Sequence, residues 1–288
     1  MSAKFGPAGN SDAFSAVHKS SLAAPQWIAE QGLDCYEYQC GKGVHVGEDT
    51  ARRVGENARK HGISLSLHAP YFINLANPDP DSLQKTIGYI TSACLVASQM
   101  GASRVVIHSG ALMKRTRREA LDTALRSLRE VIRTCDGQGF GHIALCPETM
   151  GKINQLGDLE EVLELCTLDE RLIPCLDFGH LYARSLGADD GAEAFGRMLD
   201  RVESVLGQSR ASVFHSHFSH IQFTPGGGEK CHRTFDDDDG YGPDWAPLAR
   251  AIARRGWSPT FICESAGTQA KDALTMKRIY QEVLTAQG

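Results

Sequence analysis

The sequence predicts an α/β protein that folds as a closed (β/α)8 barrel, the TIM barrel. Eight short apolar runs alternate with amphipathic stretches of roughly a dozen to twenty residues, the periodicity of strands and helices. A doubly wound open sheet is the rival, but no Gly-rich phosphate turn follows the first run. A length of 288 residues suits one barrel, so we expect a single domain over residues 1–288.

The strands are predicted where apolar runs are short and rich in branched or aromatic residues. The predicted strands are Lys4–Pro7, Cys35–Tyr38, Ser64–His68, Arg104–His108, His142–Glu148, Ile173–Asp177, Ser212–His217 and Thr260–Glu264. A Gly- and Asp-rich stretch, Thr224–Pro243, is too long for a routine barrel loop and is either a functional excursion or mobile.

The clearest helices have apolar residues at three- and four-residue intervals. They are Asp81–Met100, Arg117–Cys135 and Ala270–Thr285. Ser11 is expected to cap the first helix, and Gly62 and Gly101 to end two others.

The composition is that of a globular protein, with 42% hydrophobic and 23% charged residues. No apolar run is long enough to span a membrane, and the N-terminus lacks the pattern of a secretory signal. The nine cysteines include no C-x-x-C pair, which argues against a thiolate zinc site and fits a reducing compartment. We therefore expect a cytoplasmic protein without membrane contact. A net charge of −5 argues against binding nucleic acid by bulk charge alone.

Metal-ligating side chains recur at the last position of six successive predicted strands. The six are His68, His108, Glu148, Asp177, His217 and Glu264. Because the carboxyl ends of barrel strands meet at one rim, we expect these residues, with His180 beside Asp177, to converge.

Imidazole and carboxylate donors without thiolates suit zinc, manganese or iron. Seven or more candidate ligands exceed the need of one tetrahedral ion, and Glu148 can bridge two. Each residue has a structural alternative: Asp177 can cap a helix and Glu264 can pair with an arginine. His215 faces the barrel interior with His217; we favour His217 as the ligand and His215 as its support.

These motifs resemble the endonuclease IV family of apurinic/apyrimidinic endonucleases, within the xylose isomerase-like barrel superfamily. The resemblance runs from about Ile63 to Gly267. It rests on His68-Ala-Pro-Tyr71-Phe72-Ile-Asn-Leu75, Val106-Ile-His108-Ser-Gly110, Pro147-Glu148-Thr-Met-Gly151, Cys175-Leu-Asp177-Phe-Gly-His180, His217-Phe-Ser and Cys263-Glu264-Ser.

The resemblance implies two to three zinc ions. His68, His108 and Glu148 would hold the first; Glu148, Asp177, His217 and Glu264 the second; His180 the third. The family completes the third site with an Asp-x-His pair, whereas this chain reads Glu229-Lys230-Cys231-His232. His232 is the better ligand, with Glu229 as a substitute carboxylate. The acidic run Asp236–Asp239 would repel a phosphate backbone unless it points away.

The resemblance further implies a zinc-dependent hydrolase that cleaves DNA 5′ to abasic sites in base excision repair, with Glu148 orienting the attacking hydroxide. The expected partner is double-stranded DNA, and the expected state is a monomer. Tyr71 and Phe72 would wedge into the minor groove, although they can equally pack their loop against the barrel. The rim cations Lys42, Lys114, Arg115 and Arg117 would contact phosphates or form a solvated helix start.

Two alternatives remain open from the sequence. One is a sugar isomerase or epimerase on the same barrel, with one Mn²⁺ held by Glu148, Asp177, His217 and Glu264. The other is a non-catalytic, metal-dependent protein that binds damaged DNA.

Overall fold

The computed structural model describes residues 2–287 and has eight parallel strands at its centre. In chain order these are β1 (Lys4–Pro7), β2 (Cys35–Gln39), β3 (Ser64–His68), β4 (Arg104–His108), β5 (Ala144–Glu148), β6 (Cys175–Asp177), β7 (His215–Phe218) and β10 (Thr260–Cys263).

The eight strands close into a barrel. Strands β2 to β7 follow one another in order, β10 pairs with β7, and β1 pairs with β10. A parallel bridge between Ala8 and Glu37 joins the β1 edge to β2, and the Gly9 amide donates to the Glu37 carbonyl at 2.9 Å. The predicted barrel is confirmed. Strands β5, β6 and β7 start two or three residues later than predicted, because the preceding residues form loops or turns.

Helices cover the outside of the barrel, and the described residues contain more of them than the eight expected. They are α1 (Asp12–Val17), α2 (Ala24–Glu30), α3 (Glu48–His61), α4 (Pro80–Met100), α5 (Arg117–Gly137), α6 (Leu159–Cys166), α7 (Phe178–Arg184), α8 (Gly191–Leu206), α9 (Gln208–Ala211), α10 (Trp245–Arg255) and α11 (Gln269–Gln287). The extra helices are short pieces within single crossovers, such as α7 and α9.

The predicted helix ends are confirmed by their hydrogen bonds. Ser11 accepts from the Phe14 amide at 3.3 Å at the start of α1. Gly62 and Gly101 end α3 and α4 in the left-handed conformation, each with φ of 71°, where a glycine pays no Cβ penalty. The amide of each glycine bonds back to its own helix.

Side chains alternate between the two faces of each strand. Outward residues such as Leu67, Ile107 and Phe214 join the large core between strands and helices. The interior holds a much smaller apolar cluster of Val106, Cys146 and Cys175. Polar residues such as Glu37, Ser66 and His215 fill the rest of the interior, so the barrel centre can hold charged and hydrogen-bonded groups.

A β-hairpin lies outside the barrel, after β7. Its strands are β8 (His220–Thr224) and β9 (Gly228–Arg233), which pair in antiparallel fashion. The hairpin includes the first part of the predicted stretch Thr224–Pro243, as far as Arg233, and this part therefore has regular secondary structure. Among the described helices, none combines the length and apolarity needed to cross a bilayer.

We predict opposite effects of alanine at two helical glycines. A Cβ at Gly55 in α3 would collide with the Met100 carbonyl oxygen at the end of α4, whereas a Cβ at Gly88 meets nothing within 4 Å. Gly55→Ala should therefore lower the free energy of unfolding by about 1–3 kcal/mol. Gly88→Ala should raise it by about 0.5–1 kcal/mol, because alanine loses less entropy in a helix. Urea denaturation measures both, and changes of the same sign would contradict this packing.

Candidate metal centre

The six predicted strand-end residues converge at the mouth of the barrel, around Glu148. Glu148 Oε2 lies 3.3 Å from His68 Nε2 and 3.2 Å from His108 Nε2. Glu148 Oε1 lies 2.9 Å from His217 Nδ1. The carboxylate is 1% exposed, and its two oxygens face different sets of imidazoles. Glu148 is therefore placed to be shared between two ligand groups.

The second ligand group lies on the Oε1 side. Its members are Glu148, Asp177, His217 and Glu264, each with a ligand atom within 4.8 Å of the others. One oxygen of Asp177 caps α7 by accepting the His180 amide at 2.7 Å. The other oxygen, Oδ2, is buried, accepts no well-aligned hydrogen bond and lies 3.1 Å from His180 Nδ1. The same carboxylate thus caps a helix with one oxygen and faces the site with the other.

A third group joins His180 to the external hairpin. His180 Nε2 lies 3.5 Å from Glu229 Oε2, and the rings of His180 and His232 are 5.6 Å apart. Their ligand atoms also lie within 4.8 Å of one another.

A β-bulge in β9 explains how this group forms. Residues 229 and 232 would face opposite sides of a regular strand. The pairing runs from Gln222–Cys231 directly to Phe223–Glu229, so Lys230 is the extra residue of a bulge. The bulge turns Glu229 to the same side as His232. The structure therefore brings Glu229 and His232 together and leaves Lys230 out.

Two glycines let the hairpin approach the barrel mouth. A Cβ on Gly151 would lie 2.6 Å from Glu229 Cβ and 2.9 Å from His180 Cδ2. A Cβ on Gly228 would collide with the Gly151 carbonyl oxygen. Glu229 reaches His180 because both positions lack side chains.

We call His68, His108 and Glu148 the first ligand group. In each of its two histidines, a backbone carbonyl holds Nδ1, and Nε2 faces Glu148. His68 Nδ1 donates to the Ala69 carbonyl at 2.7 Å, and His108 Nδ1 donates to the Tyr71 carbonyl at 3.2 Å. These bonds leave Nε2 of each ring facing Glu148 with its lone pair. Metal-binding histidines in proteins are oriented in this way by a partner of the other nitrogen.

The third group follows the same rule. His180 Nδ1 lies 2.9 Å from the Thr149 carbonyl, and His232 Nδ1 lies 2.8 Å from the Ser219 hydroxyl. In both rings Nε2 remains for the site. The Ser219 hydroxyl thereby orients the His232 ring.

The charges of the site also fit a cation. Burial opposes ionisation of Glu148, but His217 and the other imidazoles hold the pKa of this carboxyl well below its usual range. Burial raises the pKa of Asp177, and the Glu264 and Glu148 carboxylates act in the same direction. Burial disfavours the charged form of His180, yet Asp177 and Glu229 raise its pKa to about 9. Protons and metal cations would compete for these atoms.

Glu37 is a site residue that the sequence reading missed. It lies in the middle of β2, faces the barrel interior and is 0% exposed. Its carboxylate contacts the Nε2 atoms of both His215 and His217, at 2.8 and 2.9 Å. Burial opposes its ionisation, but the two histidines hold its pKa well below the usual range. The sequence did contain a sign of this placement. Glu37 lies between Tyr36 and Tyr38 in the strand, so its side chain points to the opposite face from theirs, into the barrel.

An open cleft of about 440 Å³ lies above these groups. Seven of the candidate ligands line it together with four other residues. The lining residues are His68, His108, Glu148, His180, Glu229, His232 and Glu264, with Tyr71, Met150, Lys152 and Gln155. Lys152 supplies a cation beside the carboxylates. The cleft can therefore admit an anionic substrate next to bound metal.

The family described as xylose isomerase-like TIM barrel matches residues 25–282, most of the chain. The chain belongs to this family. An uncharacterized protein of Methanocaldococcus jannaschii is 29% identical over 256 residues, which cover 89% of this chain and 90% of that protein. A probable endonuclease 4 of Mycoplasma pneumoniae is 30% identical over 164 residues, 54% of each chain. The match spans about half the length of that relative, and it confirms the resemblance seen in the motifs.

Solved structures confirm the xylose isomerase-like fold. A D-tagatose 3-epimerase-like protein superposes with a TM-score of 0.73 and 18% identity, over 99% of each chain. The endonuclease IV from Thermus thermophilus superposes with a TM-score of 0.66 and 17% identity, over 98% of this chain and 99% of its own. At these identities the likeness establishes the fold alone.

In this xylose isomerase-like barrel, the two aromatic residues after β3 differ in setting. The Tyr71 ring packs over Gly41, stacks on His108 at 5.6 Å, and its hydroxyl donates to Gln39 at 3.2 Å. The Phe72 ring packs edge-on with the Tyr89 ring, and the ring centroids are 4.7 Å apart. Both rings are 52% exposed. Tyr71 is thus tied to the ligand His108, while Phe72 projects from the rim.

Two of the four predicted phosphate-contacting cations are engaged elsewhere. Arg117 donates to Glu161 at 2.7 Å and to the carbonyls of the loop after β5. Arg115 bonds to Thr123 and to the Ala76 carbonyl. Their guanidinium groups fasten loops and helices, so the expectation for these two is wrong. Lys42 and Lys114 are exposed.

The acidic run Asp236–Asp239 is largely paired with cations. Asp236 pairs with Lys271, and Asp237 and Asp239 both pair with Arg233. Lys271 and Arg233 together offset about half of the negative charge of these four aspartates, which would otherwise repel a phosphate backbone.

We predict that Gly151→Ala weakens metal binding by His180, Glu229 and His232 about 10-fold or more, a loss typical of a disturbed ligand support. The added Cβ would push Glu229 away from His180. A zinc titration in competition with a chelating indicator measures this. Gly226→Ala is the control, since a Cβ at this hairpin position meets nothing within 4 Å. Equal affinities in the two variants would contradict the role of the glycine.

Proposed function

We propose that the protein is a zinc-dependent phosphodiesterase that cleaves DNA 5′ to abasic sites, with a role in base excision repair. The observation that carries this proposal is that His68 and His108 meet one oxygen of Glu148 at a barrel mouth that holds two further candidate ligand groups. These are Glu148 with Asp177, His217 and Glu264, and His180 with Glu229 and His232. A single-metal sugar enzyme has no need of the first and third groups.

Each group would hold one ion. The ligands of the first ion would be His68, His108 and Glu148; of the second, Glu148, Asp177, His217 and Glu264; and of the third, His180, Glu229 and His232. Imidazole and carboxylate donors with no thiolate fit zinc, and manganese is compatible with the same set. The close approach of His68 Nε2 and His108 Nε2 to one oxygen of the buried Glu148 carboxylate favours bound cations over a purely structural polar cluster.

When bound, divalent cations would supply an activated water and neutralise charge that develops on the phosphodiester. The residues of the chain orient these components. Glu148 lies at the centre of the mouth, where it can fix the direction of the attacking water. Lys152 lines the same cleft and can pair with a phosphate oxygen.

The rim would engage the duplex beside this cleft. Phe72 projects into solvent and is suited to enter between base steps, whereas Tyr71 would stack beside the exposed site. The exposed Lys42 and Lys114 are available to phosphates. The match to a probable endonuclease 4 supports DNA as the substrate class.

A sugar epimerase is the second candidate, and one observation favours it. The group of Glu148, Asp177, His217 and Glu264 is complete by itself and could hold a single Mn²⁺. Two carboxylates beside a sugar carbon could then move a proton. The superposition with a D-tagatose 3-epimerase-like protein is consistent with this candidate. A damaged-DNA-binding protein without turnover would keep the metal groups and the rim.

The nine cysteines are free thiols. The Sγ atoms of Cys94 and Cys135 lie 4.0 Å apart and form no disulfide. This state is compatible with a reducing compartment, and we propose the cytoplasm as the site of action.

A nicking assay on a duplex with one abasic site tests the proposal. His108→Ala should lower the nicking rate about 100-fold or more, beyond the loss expected for a mere support of a ligand, and should remove bound zinc. The control is His142→Ala, an exposed histidine whose Nδ1 bonds to the Gly139 carbonyl away from the site. Metal per chain is counted by elemental analysis of the same preparations.

The outcome separates the candidates. Loss of nicking and zinc together supports the nuclease. Nicking that survives in His108→Ala would overturn the proposal. One Mn²⁺ per chain with turnover of a ketose and no nicking would identify the epimerase, while tight binding of abasic DNA without nicking would identify the binding protein.

Phe72→Ala should weaken binding to an abasic duplex about 5- to 100-fold, the loss expected when one base-stacking side chain is removed. Zinc content should not change, since Phe72 touches no ligand. Leu274→Ala on α11 is the matched control, an apolar side chain of comparable exposure, 42%, away from the mouth. Fluorescence anisotropy measures binding, and equal affinities in the two variants would exclude a wedge role for Phe72.

A further inference from the structure

Glu37 lies one layer below the ligands, inside the barrel, and no solvent reaches it. Four donors surround its carboxylate. Oε1 accepts from His217 Nε2 at 2.9 Å and from the side-chain amide Nε2 of Gln39 at 3.2 Å. Oε2 accepts from His215 Nε2 at 2.8 Å and from the Ser66 hydroxyl at 2.9 Å. Each oxygen holds one imidazole.

The contact with His217 decides which nitrogen of that ring faces the mouth. Because Nε2 donates to Glu37, the lone pair of the neutral ring is on Nδ1. Nδ1 lies 2.9 Å from Glu148 Oε1 and 3.5 Å from Glu264 Oε2. Three acceptor atoms thus face one another, an arrangement that a cation between them stabilises. Among the ligand histidines described above, His217 is the one that offers Nδ1, and Glu37 is its partner.

We propose that Glu37 is the positioning residue of the second metal site, which fixes the tautomer and the orientation of His217, and that His215 holds Glu37 in place. The inference rests on the metal centre of the proposed function, but it concerns metal affinity and not the reaction. Carboxylate–histidine–metal arrangements of this kind raise the basicity of the ligand nitrogen and restrict rotation of its ring.

The chemistry requires a carboxylate at this position. Two imidazole N–H groups need two acceptor atoms, and an amide offers only one. In Glu37→Gln the amide nitrogen would donate to His215 or to His217. If it meets His217, that ring must keep its proton on Nδ1 or rotate, and in either case the ligand lone pair leaves the mouth.

The test is metal affinity, measured with Co²⁺ as the probe. The full chain is titrated with Co²⁺ in competition with a chelator, and the visible absorption of each bound ion is recorded. Glu37→Gln should weaken one of the bound ions about 10- to 100-fold, the loss typical of removing such a partner, and leave the others unchanged. The affected ion should differ from the one lost in His108→Ala.

Glu161→Gln is the matched control, because Glu161 is also a buried carboxylate, 6% exposed, but it bonds to Arg117 and to backbone amides near the start of α6. Both variants should be less stable to heat, and only Glu37→Gln should change the Co²⁺ spectrum. If Glu37→Gln fails to fold, Glu37→Asp replaces it: the charge stays, but the shorter carboxylate cannot reach both imidazoles, and the same ion should weaken.

Wild-type affinity for every ion in a folded Glu37→Gln or Glu37→Asp protein would overturn the inference. A role in general stability alone would show as equal spectra in the Glu37 and Glu161 variants, and it would overturn the inference as well. Failure of the proposed function is distinct: wild-type protein would then not nick abasic DNA, whatever its Co²⁺ affinity.

Discussion

The structure depends on one electrostatic constraint, the meeting of buried carboxylates and imidazole lone pairs around Glu148. Buried acceptor atoms at this density repel one another, and they are stable only when protons or cations lie between them. The imidazoles supply protons in the metal-free state, which explains why the pKa of Glu148 falls while that of His180 rises to about 9. Divalent cations would replace those protons. The fold has to hold these groups against their mutual repulsion.

The parallel barrel meets that requirement through its backbone. The two-residue period of each strand directs one face to the helices, where the apolar core supplies stability, and the other face to the interior. The interior has little apolar packing, since its apolar cluster consists of the small group Val106, Cys146 and Cys175. Hydrogen bonds among Glu37, His215 and Ser66 replace that packing, and the layer they form supports the ligands above.

The same fold occurs in a D-tagatose 3-epimerase-like protein and in an endonuclease IV, and in this chain further residues surround the group of Glu148, Asp177, His217 and Glu264. Here His68 and His108 extend the group on one side, and the external hairpin extends it on the other. The hairpin contributes through a bulge at Lys230 and close contact at Gly151, both of them local adjustments that leave the barrel unchanged. Catalytic variety on this fold therefore comes from the loops that follow the strands.

The sequence by itself predicted the barrel, the glycines that end α3 and α4, and the six candidate ligands near the strand ends, because hydrophobic period, capping residues and strand position are local properties. It gave Glu229 only as a substitute carboxylate beside His232, without showing how the two could face the same side, and it carried no sign that Arg117 is bonded to Glu161. Only the tertiary structure decided these points. The bulge depends on how β9 pairs with β8, and Glu37 meets His217 across the barrel from 180 positions away in the chain. Such contacts arise from closure of the sheet, and no short stretch of sequence encodes them.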